Sequence, residues 1–82
     1  MISGNHELYR TVERICQSLD ESGERQVAGS LRDAMSISSI PGEVLEEIGA
    51  ALNDVRRTRA YESPDMRTDV EDAINYIDRV LD

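Results

Sequence analysis

The sequence contains no tryptophan, phenylalanine or lysine, and it has one cysteine and one histidine. A lone cysteine excludes an internal disulfide, and two Cys/His side chains are too few for a structural zinc site with four such ligands. Three tyrosines are the only aromatic residues, so the core must be built from aliphatic side chains. Neither a glycine-rich phosphate loop nor a calcium-binding loop occurs. We therefore expect neither a metal nor another cofactor.

Catalytic arrangements are missing as well. His6 lies near the N-terminus and Cys16 lies on an apolar helical stripe, so neither has the oriented partner that nucleophilic catalysis needs. Carboxylates are numerous, but the inward positions are aliphatic and carry no Glu-x-x-His pair of the kind that holds two metals in a helical bundle. We therefore expect that the protein is not an enzyme.

Long apolar runs are also absent. No signal-peptide segment follows a basic start, and no stretch approaches the ~20 apolar residues of a membrane span. We therefore expect a soluble protein of a reducing compartment, most simply the cytoplasm.

The charge is strongly negative. Seventeen acidic residues face nine arginines, which gives a net charge of −8. Residues 42–82 hold eleven of the acids against five arginines, and residues 1–41 hold six acids against four arginines. Such a surface repels nucleic acids and anionic membranes, and it favours a basic protein as partner.

Apolar residues recur at helical spacing in four segments. The predicted helices cover about residues 5–20, 24–37, 41–61 and 64–81. Asn5 is the predicted N-cap of the first helix, Gly23 its stop, and Ser63 with Pro64 the start of the last helix. Because short joints make consecutive helices antiparallel neighbours, we predict an all-α, single-domain, up-down four-helix bundle.

The predicted inward faces are aliphatic, with one cysteine. They comprise Leu8, Val12, Ile15, Cys16 and Leu19; Val27, Leu31, Ala34 and Met35; Val44, Ile48, Ala51, Leu52 and Val55; and Met66, Val70, Ala73, Ile74, Ile77 and Leu81. Ile37 and Ile40, in the joint after the second segment, are expected to fold back as an apolar plug. Gly29 and several serines weaken the second segment. A three-helix core with a loosely packed second helix, or an intertwined helical dimer, therefore remains an alternative.

Three aspartates and a tyrosine of the predicted fourth helix fall along one narrow stripe: Asp65, Asp69, Asp72 and Tyr76. We call these four residues the acidic stripe. None of its aspartates has an arginine three or four residues away, and like charges at such spacings cost roughly 0.2–0.5 kcal/mol per pair. An aromatic ring among carboxylates is typical of surfaces that bind basic proteins. The acidic stripe is therefore the candidate partner-binding site.

The alternative is that arginines across the bundle neutralise this flank. The candidates for that role are Arg10, Arg14, Arg56, Arg57 and Arg59. Exposed ion pairs of this kind contribute only ~0–1 kcal/mol. Both interpretations stay open at the level of sequence.

The middle of the chain combines a glycine, a small-apolar helix ending in Leu-Arg-x-Ala, a hydroxyl-rich joint and a Glu-aliphatic start of a long helix. These features are Gly23, Val27-Ala28, Leu31-Arg32-Asp33-Ala34, Ser38-Ser39 and Glu43-Val44-Leu45. Their order resembles a loose group of small acidic helical bacterial proteins, some of which look like immunity proteins encoded beside secreted toxins. The resemblance covers residues 23–52 and departs from the group at Ile-Pro-Gly 40–42. It implies a toxin-neutralising role and no site residues.

We therefore expect an acidic protein-binding module, in concrete form an immunity-like or antitoxin-like inhibitor that occludes a basic toxin or nuclease domain. A structural or regulatory helical subunit that self-associates, for example as a homodimer, is the alternative. A minor alternative is a carrier-protein-like bundle, since acyl carrier proteins are acidic four-helix bundles of similar size. Their attachment turn reads Asp-Ser-Leu, whereas this chain has Gly29-Ser30-Leu31 and thus no clear attachment serine.

Overall fold

The computed structural model describes residues 1–82 and contains helices only. Four α-helices cover Asn5–Glu21 (α1), Arg25–Ser36 (α2), Pro41–Val55 (α3) and Pro64–Leu81 (α4), and a 3-10 helix covers Arg59–Glu62. α2 packs against α1 and α3, and α4 packs against the same two helices. The four helices thus close a ring around one core, and the predicted all-α four-helix bundle is confirmed.

A single cluster of 22 buried apolar side chains fills the space between the helices. All five inward residues predicted for α1 are buried, and among them Leu8 and Leu19 are fully shielded from solvent. Complete burial of such a side chain contributes roughly 1.5–3 kcal/mol relative to exposure. α2 is an integral part of the bundle, because Leu31 is fully buried and the helix contacts two neighbours. One chain encloses this core without help from a second copy.

α1 ends at Gly23, as the sequence predicts. The φ of Gly23 is +82°, a left-handed conformation that glycine adopts without the steric cost of a Cβ. The Glu24 amide donates to the carbonyl of Leu19 at 2.8 Å and the Gly23 amide to that of Asp20 at 3.1 Å, which is a Schellman motif. The carboxylate of Asp20, which opposes the helix dipole, pairs with Arg32 at 2.6 Å and so ties α1 to α2.

α3 is shorter than predicted, because it ends at Val55 rather than at residue 61. Thr58 tightens the chain there: its amide donates to the carbonyl of Val55 at 3.0 Å, and its hydroxyl donates to the same oxygen at 2.8 Å. Neither glycine nor proline marks this break. The 3-10 helix that follows buries Ala60 and brings Tyr61 to α4.

Two predictions about apolar side chains are wrong. Ile37 and Ile40 are 59% and 56% exposed instead of folding back. The joint that carries them is held by Ser38, whose hydroxyl accepts the amide of Ile40 at 3.0 Å and donates to the carboxylate of Glu43 at 2.8 Å. Leu81, predicted to point inward, is 43% exposed at the last residue of α4.

Candidate partner-binding surface

The four residues of the acidic stripe all lie on α4, but they do not form one surface. Asp65 is exposed in the first turn of the helix, Asp69 and Asp72 are half-buried, and Tyr76 is buried. The structure therefore divides the stripe into an exposed start, a half-buried middle and a buried end.

Tyr76 belongs to the core and is only 8% exposed. Its hydroxyl donates a hydrogen bond to the side-chain oxygen of Asn5, at the start of α1. Asn5 is therefore not the N-cap that the sequence predicts: Gly4 takes that position, and the Asn5 side chain is used between helices. The expectation that the Tyr76 ring forms an exposed contact for a partner is wrong, because α1 and the core already cover it.

Asp69 is neutralised across the bundle. Arg14 of α1 donates to it twice, from Nη2 to Oδ1 at 3.1 Å and from Nε to Oδ2 at 3.2 Å. A two-pronged guanidinium–carboxylate pair is the stronger geometry for such a contact. A basic partner at this position would first have to displace Arg14.

The remaining two aspartates of the acidic stripe, Asp72 and Asp65, form no hydrogen-bonded ion pair with an arginine. Asp72 lies 3.9 Å from the amino group of Met1, at the outer limit of an ion pair. Asp65 has no ion pair, and the dipole of α4 stabilises its carboxylate in the first turn of the helix. Only these two members of the stripe still offer negative charge to solvent.

A separate electrostatic cluster joins the end of α3 to α4. Arg56 donates to the carboxylate of Glu71 at 2.7 and 2.9 Å, and the Tyr61 hydroxyl donates to it at 2.6 Å. These hydrogen bonds, those from Arg56 above all, lower the pKa of Glu71 to about 2. The guanidinium of Arg67 lies 5.5 Å from the centre of the Tyr61 ring. The Arg56–Glu71 pair thus connects the end of α3 to α4.

Unpaired carboxylates remain on the outer face of α3, the one α-helix of the four that carries no arginine. Glu46, Glu47 and Asp54 are exposed there and form no ion pair. Ala50 lies among them and is exposed as well. Sequence analysis missed this surface. The spacing of Glu47, Ala50 and Asp54, at i, i+3 and i+7, is the signal that could have found it, because it places all three on one helical face.

Two shallow grooves flank the outer face of α3. The α2–α3 groove, of about 280 Å³, is lined by Asp33, Ala34, Ile37, Glu47, Ala50 and Asp54 together with two further residues of these helices. The α3–α4 groove, of about 320 Å³, is lined by Glu46, Ala50, Ile74, Ile77, Asp78 and Leu81 with two others. No arginine lines either groove. Each groove therefore combines apolar side chains with carboxylates that have no cationic neighbour inside it.

Cys16, His6 and Ser30 are the side chains that the sequence offers for catalysis, metal binding or cofactor attachment. Cys16 is buried with its thiol 3.8 Å from the carbonyl of Ala28, and burial raises the pKa of the thiol. His6 is exposed in the first turn of α1. Ser30 is exposed in the middle of α2, away from a helix start. No group of three or more His, Cys, Asp or Glu side chains is arranged to hold a metal ion.

None of the helices combines the length and the apolar character that crossing a membrane requires. Comparison with protein-family models, with curated proteins and with solved structures gave no match for this chain. The arrangement of the helices by itself places the chain in the class of all-α four-helix bundles.

Proposed function

We propose that this chain is an acidic protein-binding module, and that it binds a basic surface of another protein through the outer face of α3. The observation that carries the proposal is the pair of grooves in which apolar side chains lie beside unpaired carboxylates without a single arginine. Protein interfaces combine an apolar centre with a polar rim, and complementary charge accelerates the encounter of the partners. The net charge of −8 adds to that steering.

An inhibitor of a toxin or nuclease domain is the concrete form of this function, supported by the resemblance in residues 23–52. The substrate groove of a nuclease is positive because it must hold phosphates. Carboxylates on α3 would take the place of those phosphates, so that inhibition occurs by occlusion and needs no catalytic residue. In this arrangement Asp65 and Asp72 extend the negative field, whereas Asp69 and Tyr76 hold α4 to α1.

Affinity capture followed by reconstitution tests the proposal. The bait is the full chain, the Glu47→Arg/Asp54→Arg variant, or the matched control Glu13→Arg/Glu21→Arg, which reverses two exposed acids of α1 that form no ion pair. We expect the wild-type chain and the control to retain the same basic protein and to form a 1:1 complex with it after purification. The α3 variant should bind that protein on the order of 100-fold more weakly, because it places like charges in contact.

Equal binding by the α3 variant would refute the outer face of α3 as the binding surface. A captured and reconstituted partner that is itself acidic would refute the proposed module. Circular dichroism of all three baits controls for folding, since both variants change exposed residues only.

Self-association is the second candidate, and one observation favours it. Val80 and Leu81, at the end of α4, are 49% and 43% exposed and could be covered by a second copy. Opposing this, each copy brings a net charge of −8, and like charges on facing surfaces disfavour close approach.

A further inference from the structure

The α2–α3 groove restricts the secondary structure of what it can bind. The chain has no strand, and the backbone groups of α2 and α3 are engaged within their own helices. An extended peptide therefore has no free sheet edge to pair with. A groove between two packed helices instead accepts the side-chain ridge of a third helix.

The spacing of the carboxylates of Glu47 and Asp54 determines where a bound helix must carry its cationic side chains. Glu47 and Asp54 are seven residues apart on α3, which is two turns or about 10.5 Å along the axis. A helix lying along α3 would meet them with cations at i and i+7. Asp33 of α2 lines the same groove and adds a third negative charge. Ala50 lies between Glu47 and Asp54, and its small side chain leaves room for an apolar residue at i+3 or i+4 of the bound helix.

One end of the groove already presents an apolar contact. Ile37 lines the groove and is 59% exposed, and Ile40 follows it in the joint at 56%. The joint is held by the two hydrogen bonds of Ser38 and by Pro41 at the start of α3. Because these contacts fix the joint before binding, ordering it on association costs little conformational entropy.

The negative charge of the α2–α3 groove determines which class of molecule can bind there. The groove holds three carboxylates and no base, so nucleic acids, anionic lipids and a second copy of this acidic chain are all repelled. We propose that the α2–α3 groove receives a basic amphipathic helix of another protein, with its cations on Glu47 and Asp54 and its apolar residue over Ala50. This inference rests on the proposed function and adds the shape of the partner to it.

Three synthetic peptides of about 16 residues, long enough for helix formation in an alanine-rich sequence, test the inference by fluorescence anisotropy with the full chain. The matched peptide has arginine at i and i+7 and leucine at i+3 and i+4. The shifted peptide has the same composition with arginine at i and i+9, which places the two cations on opposite faces. The third peptide carries proline in its centre, which breaks the helix. We expect the matched peptide to bind at least tenfold more tightly than either of the others.

Two variants of the chain connect this binding to the groove. Glu47→Gln/Asp54→Asn should weaken binding of the matched peptide about tenfold, since it removes both partners of the two arginines, and each exposed ion pair contributes modestly. Glu13→Gln/Glu21→Gln removes the same charge from the exposed side of α1 and should change the affinity less than twofold. If the proline peptide binds as tightly as the matched peptide, or if both variants weaken binding equally, the inference is overturned. The proposed function is tested separately, by the reconstituted partner, and does not depend on the partner being helical.

Discussion

Among single residues, Glu71 has the most strongly perturbed carboxyl group. Arg56 and Tyr61 donate three hydrogen bonds to it, and the pKa of Glu71 falls from 4.5 to about 2. Folding therefore favours the ionised carboxylate. The stability that results is fully present above pH 4.5 and is lost as the pH falls towards 2.

The Glu71→Gln variant tests this cluster. At neutral pH we expect a loss of about 1 kcal/mol in the free energy of unfolding, a modest figure because Arg56 and Glu71 are 39% and 35% exposed and water screens their interaction. The difference from wild type should shrink between pH 4.5 and 2, as measured by urea unfolding at several pH values. A penalty that is independent of pH over that range would contradict the ionic origin of the stabilisation.

Tyr76 has a structural role that two substitutions can separate from partner binding. Tyr76→Phe keeps the buried ring and loses the hydrogen bond to Asn5, which should cost roughly 0.5–1.5 kcal/mol. Tyr76→Ala should cost about 3–5 kcal/mol, because it leaves a cavity in the core. Thermal unfolding measures both values. Unchanged stability of Tyr76→Ala together with weaker partner binding would return the ring to the surface role that the sequence suggested.

Residues in the middle of a buried helical face can be identified from the sequence, whereas residues at its margin cannot. Periodicity identified Val12 and Ile48 as core residues, because the apolar positions of a helix define its buried face. It also placed Asp69 and Tyr76 on the margin of that face, where the outcome depends on the neighbouring helix. The rotation of α1 that brings Arg14 to Asp69 and Asn5 to Tyr76 is a tertiary property that no local pattern contains.

Among the helical elements, replacing each of two glycines by alanine should change the stability of the protein in opposite directions. Gly23→Ala should destabilise the protein by roughly 1–2 kcal/mol, because alanine pays a steric cost at a φ of +82°. Gly29→Ala should stabilise it by roughly 0.5–1 kcal/mol, because Gly29 lies inside α2 and an added Cβ meets nothing within 4 Å. Urea unfolding of both variants checks the pair. A stabilising Gly23→Ala would contradict the left-handed C-terminus of α1, and a destabilising Gly29→Ala would contradict the open position of Gly29 inside α2.

The predicted C-terminal boundary of α3 was wrong, and this error concealed the arginine-free outer face of the helix. Three helix starts, at Pro41, Pro64 and the segment after Gly23, could be read from the sequence because proline and glycine have specific backbone requirements. The end of α3 could not, since its break at Val55–Thr58 depends on a local hydrogen bond of a threonine. Extending the helix to residue 61 assigned three arginines to it. With those arginines included, the helix did not stand out as arginine-free, and the shared face of Glu47, Ala50 and Asp54 was overlooked.

At the scale of the whole molecule, the distribution of charge predicts a monomer. One chain closes its own core, and each copy carries a net charge of −8. We expect sedimentation equilibrium at moderate salt to give the mass of a single chain, 9.2 kDa. A stable dimer that dissociates on Leu81→Asp would instead support the self-associating subunit, with the end of α4 as its contact.

Whether the outer face of α3 receives a basic helix is tested most directly by an NMR titration of the ¹⁵N-labelled chain with the matched basic peptide. We expect the amide shift changes to cluster at the residues of the α2–α3 groove, around Asp33, Ile37, Glu47, Ala50 and Asp54. The amides of residues 65–76 should move little. Changes centred on α4 at residues 65–72, with α3 unaffected, would contradict binding at α3 and restore the acidic stripe as the binding site.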